Sequence, residues 1–178
     1  LGMCLRDLGL IPEAMAALRR AVSFDPDNPE IRSNLIFTLP YDARIDDALA
    51  YRESVAWGRH HGAGSVWCVH AARPLDGRRL RVGYLSRDFR RHAAGYFLEA
   101  MIAGHAGGDV EVYCYHDHPG GDALTARVRA VASHWRDVSG LTDAALIERV
   151  QSDGIDILIE TGGHTGGNRL LAMSRKPA

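Results

Sequence analysis

The hydrophobic period of the chain changes once, near residue 75, and that change constrains the fold more than any single motif does. Ahead of it, apolar residues fall at Leu1, Leu5 and Leu8, then at Ala14, Ala17, Leu18, Ala21 and Val22. This is the i, i+3, i+4, i+7 spacing of amphipathic helices. Gly9 is placed to close the first helix, and Pro12 stands where a first-turn proline is tolerated. Asp25-Pro26-Asp27-Asn28-Pro29 breaks the pattern. A third helix is predicted over 30–39, ending at Pro40. A fourth is predicted over 46–60, with Ala48, Leu49, Tyr51, Val55, Ala56 and Trp57 as core candidates. Gly62, Gly64, Pro74 and Gly77 interrupt any period, so 63–79 reads as a connector.

Beyond the seam, short alternating segments replace the helical stripe. Strands are predicted over 80–86, 110–115, 134–138 and 155–160, and helices over 95–105, 122–133 and 142–152. Tyr96 and Phe97 are expected to pack the first of these helices onto the sheet. Asp143 and Glu148 are expected near the start and on the solvent side of the last. Strands alternating with helices at this spacing make a parallel sheet covered on both faces. Ligands of such sheets sit outside the carboxyl ends of the strands. That rule selects two loops, 86–95 and 161–168, and each carries a histidine.

Composition narrows the class. Of 178 residues, 46% are hydrophobic and 24% charged, enough apolar mass for a core and too much for a disordered tail. No apolar run has the length of a membrane span, and no basic-then-apolar signal peptide is present. Three cysteines, Cys4, Cys68 and Cys114, are too far apart and odd in number for a disulfide framework or a cysteine metal site. A reducing cytoplasm is the expected location. The net charge is −1, yet every basic residue except Lys176 is arginine. The arginines are spread from Arg6 to Arg175 among 22 acids, without the basic face that nucleic-acid binding needs. A chain-wide arginine bias is read as GC-rich bacterial coding.

The loop 86–95 contains Ser86-Arg87-Asp88-Phe89-Arg90-Arg91-His92. His92 suits a general base toward a hydroxyl, or a group positioning a diphosphate. It equally suits a surface histidine or a cap for the next helix. Asp88 is expected to shape the loop, its carboxylate accepting backbone N–H groups. Gly162-Gly163-His164-Thr165-Gly166-Gly167 allows a ligand to approach the backbone closely, and its N–H groups, with a helix expected near Asn168, suit an anion or a sugar hydroxyl. A flexible turn is the other reading. The segment is neither the dinucleotide fingerprint nor a Walker A loop. His116-Asp117-His118 has chelating spacing, but no supporting carboxylate or cysteine, so no metal site is assigned. His60, His61, His70, His105 and His134 follow no usable pattern. No Gly-x-Ser-x-Gly elbow or cysteine–histidine pair points to a covalent intermediate.

The helical part has a finer register. Leu1, Gly2, Leu5, Gly9, Ala14, Leu18, Ala21 and Pro26 match the small-and-large pattern of a tetratricopeptide repeat. Gly2 and Ala14 are small where two helices approach, Leu18 fills the groove and Pro26 ends the second helix. In that register Leu1 falls inside a repeat, and upstream neighbours are expected because a lone repeat cannot bury its face.

The order of these elements resembles one family. Ile11-Pro12-Glu13-Ala14 and Asp25-Pro26-Asp27-Asn28-Pro29 are followed by Asp76-Gly77-Arg78-Arg79-Leu80-Arg81-Val82-Gly83-Tyr84-Leu85-Ser86-Arg87-Asp88-Phe89 with His92. Then come Val112-Tyr113-Cys114-Tyr115, Asp153-Gly154-Ile155-Asp156-Ile157-Leu158 and Gly163-His164-Thr165. Together they look like the protein O-linked N-acetylglucosamine transferases, the family that includes the SPINDLY proteins. Ser174-Arg175-Lys176-Pro177-Ala178 resembles the start of that family's Arg-x-Pro-Ala-Pro segment, so a piece of a longer chain is expected.

The resemblance implies transfer of a sugar from a UDP-sugar to serine or threonine hydroxyls of proteins, with inversion and without a metal. It implies tetratricopeptide repeats over 1–62 that guide protein acceptors, a connector over 63–79, and a parallel-sheet Rossmann-like lobe over 80–178. That lobe would be the first of the two in a GT-B glycosyltransferase. His92 would stand in the active site, as the histidine discussed as a base. His164 and Thr165 would contact sugar and acceptor. Ala93 stands where family members often have proline. No cofactor is implied, since UDP-N-acetylglucosamine is a substrate, and neither nucleic acid nor membrane is an implied partner. The family's main UDP contacts, including a diphosphate lysine, belong to the second lobe, and Lys176 does not match that lysine. The chain by itself is therefore expected to be inactive. The choice between N-acetylglucosamine and fucose donors is also set largely in that lobe. The competing expectation is a protein-binding adaptor with a non-catalytic α/β domain.

Overall fold

The computed structural model describes residues 1–62, 67–70, 73–105 and 107–178. In chain order the elements are α1 (Gly2–Asp7), α2 (Ile11–Phe24), α3 (Pro29–Thr38), a 3-10 turn (Leu39–Tyr41), α4 (Asp47–His61), β1 (Leu80–Ser86) and α5 (Ala93–Gly104). They continue as β2 (Val110–His116), α6 (Ala123–Val131), β3 (His134–Asp137), α7 (Asp143–Asp153), β4 (Ile157–Glu160) and α8 (Leu170–Met173). Two units form. One holds the described residues up to 62 with Gly163–Ser174, and the other holds those from 67 to 162 with Arg175–Ala178.

In the helical unit, α1 ends where Gly9 takes φ +78°, a conformation that costs glycine nothing. Gly2 is small for a reason. A methyl group there would fall 2.6 Å from Leu18 Cγ, so the α1–α2 approach needs its absence. Asn28 caps α3, its Oδ1 accepting the N–H groups of Glu30 and Ile31 at 3.1 and 3.2 Å. Met15, Leu18, Leu35 and Leu39 form the core of this unit. On α4 only Trp57 among the predicted core residues is buried, and its indole N–H donates to the Pro29 carbonyl at 3.0 Å. Leu49, Val55 and Ala56 are half-buried, whereas Ala48 and Tyr51 are exposed. At 100° per residue, Tyr51 and Ala48 lie about 120° and 180° around the helix from Trp57, so one stripe cannot bury all three.

In the sheet unit, four strands pair in parallel in the order β3-β2-β1-β4. One face carries Val82, Tyr84, Val112 and Cys114, which pack with Leu98 and Ile102 of α5 and Leu124 and Val128 of α6. Burial pushes the Cys114 thiol up to about 12. Tyr96 and Phe97 do not pack onto the sheet. They are exposed, and Gly95, Leu98 and Ile102 are buried in their place. Both aromatic residues lie about 130° from the centre of that stripe. Aromatic character suggested burial, and the register of the helix overruled it.

Helix α7 buries Leu146, Ile147 and Val150, and charge ties its end to the opposite face of the sheet. Arg136 holds Asp153 at 2.8 Å, and the Tyr115 hydroxyl donates to Asp153 at 2.9 Å. Gly154 closes α7 in the left-handed conformation at φ +60°. Arg81 pairs with Glu111 at 2.9 Å, and Arg78 pairs with Asp156 at 2.7 Å. Part of the arginine excess therefore serves as ionic ties within the fold. Strand β4 begins at Ile157, two residues later than predicted, because the Asp156 carboxylate instead takes the Arg78 side chain and the Arg81 N–H. The helix expected near Asn168 is the single turn α8.

No helix among the described residues is long and apolar enough to cross a membrane.

Candidate functional site

The strand order locates a crevice. The chain moves from β1 to β2 to β3 on one side, then returns across the sheet to place β4 on the other side of β1. The carboxyl ends of β1 and β4 therefore flank the point where the order reverses, the usual ligand position in such sheets. The register sets Leu85 opposite Glu160 and Ser86 opposite His116. Just past β4, Thr161 donates its N–H to the Leu85 carbonyl at 3.2 Å and its hydroxyl to Ser86 Oγ at 2.8 Å.

The loop after β1 is held from several sides. Phe89 is fully buried, with Trp135 and His116 as ring neighbours at 5.5 and 6.2 Å. The Asp88 N–H donates to Ser86 Oγ at 3.0 Å. Asp122 and Thr125, which form a capping box on α6, also reach this loop. Asp122 accepts the Arg91 N–H at 2.7 Å, and the Thr125 hydroxyl donates to the Phe89 carbonyl. The Arg91 N–H is the main cause holding the Asp122 carboxyl below its ordinary value. Sequence reasoning missed both anchors. The signal was the Asp-x-x-Thr spacing of a capping box, which announces a helix start but not its second partner.

His92 is the N-cap of α5 and is about half exposed. Its Nδ1 lies 3.3 Å from the Ala94 N–H and 3.5 Å from Asp88 Oδ2. These two neighbours select opposite tautomers. Accepting from Ala94 needs a bare Nδ1 and leaves the proton on Nε2, whereas facing Asp88 as Nδ1–H leaves the Nε2 lone pair free. One ring nitrogen thus has both a helix-capping N–H and a carboxylate as neighbours. Asp88 differs from expectation. Its carboxylate faces Arg90 at 3.6 Å and His92, rather than backbone N–H groups. Helix α5 starts this close to the loop because residue 95 is glycine. A methyl group there would overlap the carbonyl oxygens of Arg90 and Asp88.

His164 and Thr165 lie in the helical unit, while His92 lies in the sheet unit. His164 Nδ1 is 3.0 Å from Ser33 Oγ, and its ring meets Trp57 edge-on at 5.2 Å. Burial lowers its basicity. Gly163 and Gly167 adopt φ +53° and +69°, which turns the chain on either side of it. Thr165 borders a cavity of about 160 Å³ with Ser33, Asn34 and Asn168. In the sheet unit, His116 and His118 each place a ring nitrogen 3.0 Å from the Gly120 carbonyl, so both hold the local turn. Among the described residues no three histidine, cysteine, aspartate or glutamate side chains gather as metal ligands.

The sequence profile of glycosyl transferase family 41 matches residues 65–178. The chain belongs to this family. A probable UDP-N-acetylglucosamine–peptide N-acetylglucosaminyltransferase SPINDLY from Oryza sativa is 33% identical over 91% of this chain and 18% of its own length. The UDP-N-acetylglucosamine–peptide N-acetylglucosaminyltransferase of Caenorhabditis elegans is 29% identical over 98% of this chain and 15% of its own. A solved structure, a point mutant of the Thermobaculum terrenum O-GlcNAc transferase, superposes with a TM-score of 0.91 at 40% identity. It matches all of this chain and 34% of that one. The family 41 chain thus spans less than a fifth of these curated relatives. Within it, the loop bearing His92 and the turn bearing His164 both fall inside the matched residues.

Proposed function

We propose that the whole protein transfers N-acetylglucosamine from UDP-N-acetylglucosamine to serine and threonine hydroxyls of proteins, in one inverting displacement that uses no metal ion. The observation that carries this reading is His92, at the head of α5 beside the β1/β4 crevice, with Asp88 3.5 Å from its Nδ1. In the proposed step Nδ1–H faces Asp88, and Nε2 takes the proton of the acceptor hydroxyl. The hydroxyl oxygen bonds to the anomeric carbon as the bond from that carbon to UDP breaks on the opposite face. The electron pair leaves with the diphosphate.

His164 and Thr165 are assigned to sugar and acceptor contacts. Residues 1–62 are assigned to the end of a tetratricopeptide array that guides acceptor proteins in the cytoplasm, and residues from 80 onward to a first catalytic lobe. Since a rate-enhancing site must hold donor and acceptor in line, and this chain covers 34% of the solved transferase it resembles, the 178-residue chain alone is proposed to be inactive. Transfer by the isolated chain would overturn that part.

The test is His92→Asn in the whole protein, assayed with UDP-N-acetylglucosamine and an acceptor protein. Asparagine caps helices as well as the best residues do, so thermal stability is expected to hold. Transfer is expected to fall by about 100-fold or more, as for loss of a general base. Unchanged transfer would remove His92 from the proton step. A wild-type protein that binds acceptors and transfers nothing would establish the adaptor instead.

A further inference from the structure

Helix α4 carries an open cleft of about 700 Å³ that includes Arg32 of α3 at its side. Arg52 and Arg59 line it, both exposed, and neither has an ion-pair partner among the described residues. This sets them apart from Arg78, Arg81, Arg127 and Arg136, each of which holds a carboxylate of the fold. Arg32 gives one nitrogen to Glu53 at 3.3 Å, while its Nε is buried and without a partner. Between the two free guanidiniums the floor is apolar, made by Val55 and Ala56, with Tyr51 71% exposed at the rim. His60 closes one end, tied to Asp27 at 2.8 Å. No acidic side chain lines the cleft.

We propose that this cleft binds an acidic peptide in extended form. Arg52 and Arg59 are seven residues, hence two turns and about 10 Å, apart along the helix. An extended peptide advances about 3.3 Å per residue and turns alternate side chains to one face, so carboxylates four residues apart, about 13 Å, face the two guanidiniums, whose flexible stems take up the difference. Arginine forks onto carboxylates through paired hydrogen bonds. A bulky apolar side chain between the two acids lies on Val55 and Ala56 against the Tyr51 ring. A polynucleotide needs a continuous basic stripe, and here the apolar floor interrupts it. The proposal is independent of the transfer reaction.

The test is fluorescence anisotropy on the full chain with a labelled peptide that has two glutamates four residues apart and a phenylalanine midway between them. It is expected to bind on the order of tenfold more tightly than its glutamine counterpart. Arg52→Glu and Arg59→Glu should each remove that preference while leaving circular dichroism unchanged, since both side chains project from the helix. Equal binding of the glutamate and glutamine peptides would overturn the proposal, as would binding that survives both substitutions. A single-stranded oligonucleotide that binds as tightly, and is weakened by the same substitutions, would replace the peptide with a nucleic acid.

Discussion

The Thr161 hydroxyl donates to Ser86 Oγ over 2.8 Å, and so ties the carboxyl ends of β1 and β4 at the point where the strand order reverses. Ser86 is 2% exposed, and the same oxygen accepts the Asp88 N–H. One hydroxyl thus connects the end of β4 to the start of the loop that carries His92. Thr161→Val keeps the shape and deletes the donor. It is expected to cost about 1–2 kcal/mol, the usual loss for a buried hydrogen bond, read as a lower midpoint in urea. The Asp88 amide should also exchange faster with solvent. Unchanged exchange at Asp88 would show that Phe89 holds the loop without help.

Gly95→Ala tests the close approach that lets α5 begin under the loop. The added methyl meets two backbone oxygens, of Arg90 and Asp88, rather than a side chain that can swing away. Helix propensity alone would favour alanine by about 1 kcal/mol. Net destabilisation of about 2 kcal/mol or more is expected from overpacking, and calorimetric melting would show it. A stabilised variant would mean that the loop yields at no cost.

Asp156 gives a pH signature. Its side-chain bond to Arg78 holds the carboxyl down to about 2. Because the folded value lies below the unfolded one, the added stability is present above about pH 4 and lost as pH falls toward 2. Asp156 is 15% exposed, and the shift corresponds to about 2 kcal/mol at neutral pH. Asp156→Asn should lower the urea midpoint accordingly at pH 7. Its curve should meet that of the wild type near pH 2. A constant difference across this range would assign the effect to packing.

His164 should titrate in the opposite sense to an ion-paired histidine. Burial lowers its folded value, so the unfolded chain takes up a proton first as pH drops past about 6.5. Stability should therefore be full at pH 8 and decline below about 6.5. His164→Gln, which retains a partner for Ser33, should flatten that decline. Proton NMR would place the His164 transition below that of a free imidazole.

Much of this arrangement was legible beforehand. Alternation over residues 80–86 marked β1 to the residue, because successive side chains of a strand point to opposite faces. Both histidine-bearing loops follow strands of the parallel sheet, as their places in the chain predicted. Other features were not legible. Tyr96 and Phe97 looked like core and face solvent, because the stripe of α5 was set by Gly95, Leu98 and Ile102. The anchoring of the His92 loop by Asp122 and Thr125 was hidden, since a capping box written in sequence names its helix but not a loop some 30 residues upstream.

The residues themselves determined which segments coil, which extend, where glycine must turn the chain and which loops follow a strand, because those properties come from local sterics and period. Only the tertiary structure decided that β4 returns to the far side of β1. It alone paired Thr161 with Ser86, and gave the His92 ring both Ala94 and Asp88 as neighbours. Each of these depends on groups brought together across the sheet or around a loop, where hydrogen-bond geometry and close packing select one arrangement among the many that the same local pattern permits.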